Sequence, residues 1–270
     1  MIAIRGPCAI FSSYNPLYSL AGLLVGMLVG LTGVGGGSLM TPLLVLMFGF
    51  HPATAVGTDL LYASVTKTVG TAVHHKGQTV DWKIVGGLAS GSIPAAIATL
   101  VAMWYFGVAS GKGPLFLNLL LGAALFLTSI AVFFRPLILR WAGDHIDEMA
   151  ESRLSHWTIL LGVTLGILVS LTSVGAGALG TTALLMLYPR LSVARIAGTD
   201  IAHAVPLTLV AGIGHLILGS VDFTLMLALL AGSIPGIIIG SMLSSRTSDS
   251  VLRPILAVTL LIVSLRLLAA

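Results

Sequence analysis

Six stretches of this chain are long and apolar enough to cross a lipid bilayer, and that constrains its fold more than any other feature. They cover residues 57–75, 84–108, 115–134, 196–218, 223–243 and 251–270. Spanning a bilayer as a helix takes about 20 mostly apolar residues. Shorter apolar runs occupy 17–31, 39–50, 157–171 and 179–189. Only 8% of the residues are charged, against roughly 25% in soluble domains, so the charges could not cover a water-exposed surface of this size. Closed β-barrels also span membranes, but they read as alternating segments of about ten residues, and these runs are continuous. The expected fold is an all-α polytopic membrane protein with the lipid bilayer as its solvent.

The chain repeats itself. Leu31-Thr32-Gly33-Val34-Gly35-Gly36-Gly37-Ser38-Leu39 aligns with Leu171-Thr172-Ser173-Val174-Gly175-Ala176-Gly177-Ala178-Leu179. After a one-residue insertion the match resumes. Gly57-Thr58-Asp59 meets Gly198-Thr199-Asp200, His74 meets His215, and Asp81 meets Asp222. Gly91-Ser92-Ile93-Pro94 likewise meets Gly232-Ser233-Ile234-Pro235. Residues 1–135 read as a first repeat and 157–270 as a second. Between them, 136–156 form a polar linker carrying Asp144, Asp147, Glu148, Glu151 and Arg153.

Each Gly-rich motif lies between two runs too short to span comfortably. A pair could form a broken helix or two short spans, or a re-entrant hairpin that enters and leaves on one side. Re-entrant hairpins leave three full spans per half, so the halves are inverted. Lys76, Lys83, Arg135, Arg140, Arg153, Arg190, Arg195, Arg246 and Arg253 then share one side, against Arg5, Lys112 and Arg266 on the other. Counting the short runs as separate spans spreads the basic residues almost evenly. Cytoplasmic loops carry the excess of Lys and Arg. The inverted arrangement follows: two repeats, each with a re-entrant Gly-rich hairpin plus three transmembrane helices, the linker cytoplasmic and both termini outside. Inverted repeats with interrupted helices at the midplane are a recurring transporter plan. Residues 1–16 lack the basic start, apolar stretch and cleavage site of a signal peptide.

The hairpin tips are the first candidate site. Helices are expected to begin near Leu39 and Leu179. A helix start carries free N–H groups and about half a positive charge, and glycine allows close approach, so each tip can hold an anion without a charged side chain. Gly35, Gly36, Gly37, Gly175 and Gly177 would supply backbone, and Thr32, Ser38 and Thr172 hydroxyls. The plainer alternative is that small residues let helices pack closely.

The run Gly33-Val34-Gly35-Gly36-Gly37 with Pro42 behind it, the Gly57-Thr58-Asp59 motif and their second copies resemble the TauE/SafE family of membrane permeases over about residues 17–268. The second copy departs from the first, with Ala176 in place of a glycine and Thr182 in place of Pro42. The resemblance implies export of sulfite or of a small organosulfonate such as sulfoacetate across the inner (plasma) membrane.

Ionisable residues within spans are functional candidates because burying them is costly. Lys67 lies near the centre of 57–75, opposite the neutral Thr208 of the other repeat. Nine residues, roughly 13 Å of helix, separate it from Lys76, too far for easy snorkelling. It reads as a partner for the anion. His74 and His215 could exchange protons or be interfacial polar residues. Tyr62 and His203 occupy equivalent positions, read as one turn into their helices, where either could face a pocket. Asp59 and Asp200, read as lying at helix starts, are helix-favoured acids or coupling groups. Asp81 and Asp222 read as helix caps, and Pro94 and Pro235 as kinks.

No Walker-type or dinucleotide-binding motif follows either tip, and no His-Glu-x-x-His is present. No cofactor, metal site, enzymatic activity or nucleic acid partner is expected. The single Cys8 permits no intrachain disulfide. The reading is a secondary transporter exporting a small sulfur-containing anion. An anion channel or a carrier of another small solute stays open, as does assembly into a homo-oligomer.

Overall fold

The computed structural model describes residues 16–32, 37–107, 114–139, 151–244 and 249–269. Every regular element among them is helical. In chain order these are α1 (Pro16–Thr32), α2 (Gly37–Leu46), α3 (Pro52–Lys76), α4 (Trp82–Tyr105), α5 (Pro114–Phe133), α6 (Glu151–Thr172), α7 (Ala178–Leu187), α8 (Val193–Ile217), α9 (Phe223–Ser244) and α10 (Asp249–Leu268). Among the described residues, four helical segments are long and apolar enough to cross a membrane: Trp82–Tyr105, Arg153–Thr172, Val193–Ile217 and Phe223–Gly240.

The apolar runs and the helices do not coincide everywhere. The run 157–171 is short, but its helix continues back through Ser155 and His156 to Glu151. At 22 residues and about 1.5 Å each, α6 is long enough to span. The arms flanking the second tip are therefore unequal, because α7 has only 10 residues. In the other direction, α3 has 25 residues, yet it carries Asp59 and Lys67 and is not among these four.

Four interfaces hold the helices together: α1 with α9, α4 with α6, α3 with α8, and α5 with α10. Glycines permit the first two. A Cβ at Gly22 or Gly26 of α1 would run into the backbone of Leu229 or Ser233, and one at Gly162 or Gly166 of α6 into that of Leu88 or Ser92. Gly232 abuts Ser19 and Leu23, as Gly91 abuts Ile159 and Val163. With no hydrophobic drive between helices in lipid, such backbone approach is what lets dispersion hold them. These contacts come in pairs related by the 140- and 141-residue offsets. A hydrogen-bond pair obeys the same rule: Asp81 N–H donates to Thr199 Oγ1 and Asp222 N–H to Thr58 Oγ1, each at 3.0 Å.

The central pair, α3 and α8, runs antiparallel. Gly70 faces Ile201 near one end of the contact and Leu61 faces Gly212 near the other. Buried apolar residues pack on both flanks of this pair, with Val25, Met40, Leu44, Leu225 and Leu229 on one side and Leu165, Val169 and Ala96 on the other. Asp81 caps α4 as expected, accepting from Lys83 N–H and Ile84 N–H, and Asp222 Oδ1 accepts from Leu225 N–H. Both α4 and α9 continue through Pro94 and Pro235.

Candidate functional site

Each tip arises from a break in helix propagation. After Thr172, Ser173 takes φ 58° and Gly175 and Gly177 take φ 124° and 131°, conformations that stop a right-handed helix. Thr172 serves the break itself: its hydroxyl donates to Leu168 O at 2.7 Å and accepts from Val174 N–H at 3.1 Å. It is thus engaged within the chain. The chain restarts as α7 at Ala178, and α2 starts at Gly37, each within two residues of the expected position. Gly35 and Gly36 lie outside the described residues, as do the side chains of Thr32, Ser38 and His74.

Asp59 and Asp200 are not at helix starts. α3 begins at Pro52 and α8 at Val193, so each acid lies about two turns in, because the helices extend back over 52–56 and 193–197. Capping therefore does not explain them. Tyr62 and His203 are correspondingly nearer the middle of their helices than one turn. Asp59, Asp200 and His203 are all at most 1% exposed.

The fold gathers these residues around the second tip. Lys67, 5% exposed, donates from Nζ to Ala176 O at 3.1 Å. Its ammonium stands in the electrostatic field of both Asp59 and Asp200. Asp59 Oδ2 accepts the Thr41 hydroxyl of α2 at 2.5 Å, and Ser173 approaches its carboxylate without reaching hydrogen-bond geometry. Asp200 is placed differently. Among the described residues neither of its oxygens has a hydrogen-bond partner, yet its carboxylate lies against the first turn of α7. Gly177 N–H is directed at it, and Oδ1 occupies the space a Cβ at Gly180 would need.

Around this cluster, His203 Nε2 and Ser92 Oγ are 2.8 Å apart. The equivalent Tyr62 approaches Ser233, the equivalent of Ser92, short of hydrogen-bond geometry. His215 is fully buried, and Nε2 lies 2.9 Å from Ser170 O. A carbonyl only accepts, so Nε2 carries the hydrogen; Nδ1 has no partner among the described residues. Among the described residues no group of three or more His, Cys, Asp or Glu could hold a metal ion.

Sequence reasoning missed Thr41, Ser92, Ser173 and Ser233. Ser92 and Ser233 carried a signal, as polar residues repeated within apolar spans, but the adjacent prolines drew the reading towards kinks. Thr41 and Ser173 carried none, because only folding sets them beside Asp59.

A helical, multi-pass protein that buries two acids and an ammonium between its helices has the makeup of a membrane transporter. The chain belongs to the Sulfite exporter TauE/SafE family, whose profile matches residues 18–267. It is 42% identical over 250 residues to the "Probable membrane transporter protein YjnA" of Bacillus subtilis, covering 92% of this chain and 98% of that protein. It is 28% identical over 254 residues to "Probable membrane transporter protein YdhB" of the same organism, covering 93% and 99%. Over 171 residues it is 30% identical to "Probable membrane transporter protein MJ0441" of Methanocaldococcus jannaschii, covering 60% and 58%. No solved structure matches the chain. The protein is a membrane transporter and not an enzyme.

Proposed function

We propose that the protein exports a small sulfur-containing anion, sulfite or an organosulfonate such as sulfoacetate, across the inner membrane. The observation that carries this reading is the Lys67 ammonium, buried between two helices and held against the tip carbonyl of Ala176. A buried ammonium at an interrupted helix supplies charge, and the restarting helix α7 supplies N–H groups. The first tip, near Gly35, Gly36, Gly37 and Ser38, contributes in the same way from the other repeat. Residues 1–135 and 157–270 act as inverted halves, with 136–156 as a cytoplasmic linker and both termini outside. The recurrence of helix contacts at the 140- and 141-residue offsets supports this arrangement. Rocking of the halves exposes the site to each face in turn.

The test is binding of sulfite, sulfoacetate, taurine and sulfate to the purified protein. Saturable binding of a sulfur anion that Lys67→Ala removes is the expected result. Folded protein that binds none of the four would remove sulfur anions from the reading.

A further inference from the structure

We infer that Asp200 occupies the anion position at the start of α7 as an internal stand-in for substrate, and that a proton taken up by Asp200 releases that position to the transported anion. The inference rests on the anion-export reading above and adds its coupling.

The start of α7 is the place where an anion is expected, and a carboxylate of the chain is already there. Gly177 N–H acts on Asp200 without reaching hydrogen-bond geometry, and Oδ1 fills the space that a Cβ at Gly180 would need. Yet Asp200, 1% exposed, has no hydrogen-bond partner on either oxygen among the described residues. Its repeat counterpart Asp59 is held by the Thr41 hydroxyl. Asp200 is therefore the acid of the pair that no hydroxyl holds in place.

Charge counting gives the direction of coupling. Asp59, Lys67 and Asp200 together carry one net negative charge when all are ionised. Adding a substrate anion would set three negative charges around one ammonium in a site closed to water, where repulsion is screened least. A proton on Asp200 removes one of those charges and its attraction for the Gly177 N–H. From α3, Lys67 is the charged group that acts on Asp200, and Asp59 acts in turn on Lys67. On α8 itself the neighbour is His203, tied to Ser92 of α4. The tip and α7 carry no titratable side chain. Asp81 of the α3–α4 loop reaches this region through its backbone bond to Thr199, while its carboxylate pairs with Arg195. A metal cation fits less well, since the Ala176 carbonyl is already taken by Lys67.

Isothermal titration of the whole protein with sulfoacetate, in buffers of differing ionisation heat, tests this. The sulfonate keeps its charge across neutral pH, so any proton taken up belongs to the protein. The expected result is uptake of about one proton per anion, with affinity falling up to about tenfold per pH unit as pH rises. Asp200→Asn should bind the anion without proton uptake and with little pH dependence. Wild-type binding without proton uptake, equal uptake in Asp200→Asn, or a requirement for sodium would each overturn the proposal. The wild-type result stands even if the variant does not fold. If no sulfur anion binds, the export reading fails on its substrate, and infrared spectra across pH decide the coupling separately. A protonated-carboxyl band that fades as pH rises and is missing in Asp200→Asn supports it. Spectra unchanged by that substitution overturn it.

Discussion

Lys67 is the only cation among the described residues that faces both Asp59 and Asp200. Removing one partner from a buried ionic group leaves the others uncompensated, at about 3–5 kcal/mol. Lys67→Met should therefore destabilise the protein by that order, read as a lower unfolding midpoint in detergent. The double variant Lys67→Met/Asp200→Asn should recover part of the loss, because the pair is coupled. Gly180 offers a sterically cleaner test. In Gly180→Ala the new methyl group would take the place of Asp200 Oδ1. Overpacking of this kind costs about 1–3 kcal/mol. A Gly180→Ala protein as stable as the parent would mean that the acid does not rest against α7.

The helices are held by backbone approach, so glycines matter by where they face and not by how many there are. A Cβ at Gly91 would strike the backbone of Ile159 and Val163, whereas one at Gly86, on the same helix, meets nothing. Gly91→Val should force α4 from α6 and cost at least about 1–3 kcal/mol. Gly86→Ala should be neutral or stabilising by up to about 1 kcal/mol, the helix propensity gained. Thermal unfolding of the two variants side by side checks both. The start of α4 carries another separable pair of effects. Asp81 caps the helix and also pairs with Arg195 at 3.0 Å, with side chains 21% and 46% exposed. Exposed ion pairs contribute only about 0.2–1 kcal/mol, and a lost cap about 0.5–2 kcal/mol. Asp81→Asn, which keeps a capping oxygen, should therefore cost less than Asp81→Ala.

For the whole molecule, the reciprocal contacts set α3 and α8 antiparallel at the centre, with Asp59 and Asp200 towards opposite ends of the pair and Lys67 between them. The proposed orientation places the linker in the cytoplasm and the α4–α5 connection outside. In a Cys8→Ser background, a cysteine replacing Ser110 should react with an impermeant maleimide on intact cells, and one replacing Ala142 only after permeabilisation. The opposite pattern would invert the orientation, and labelling of both from outside would sink the inverted arrangement.

Much of the fold was legible in the chain itself. Lipid cannot hydrogen-bond to a backbone, so long apolar runs with few charges leave helices as the solution, and the repeat offsets announced which contacts would recur. Periodicity was a poorer guide to helix ends. α6 gains length from a polar first turn that carries no apolar signal, and α3 and α8 begin about two turns before their acids. Lys67 stood out because a charge within a span is costly. The groups around the cluster did not, because only folding brings Ala176 to Lys67, Thr41 and Ser173 to Asp59, and Gly180 to Asp200. The sequence by itself determined that this is a helical membrane protein of two related stretches with a charge at its centre. Only the tertiary structure decided that Asp200 lies unbonded at the start of α7, because that placement depends on how closely two helices pack, and a missing methyl group at Gly180 is what permits it.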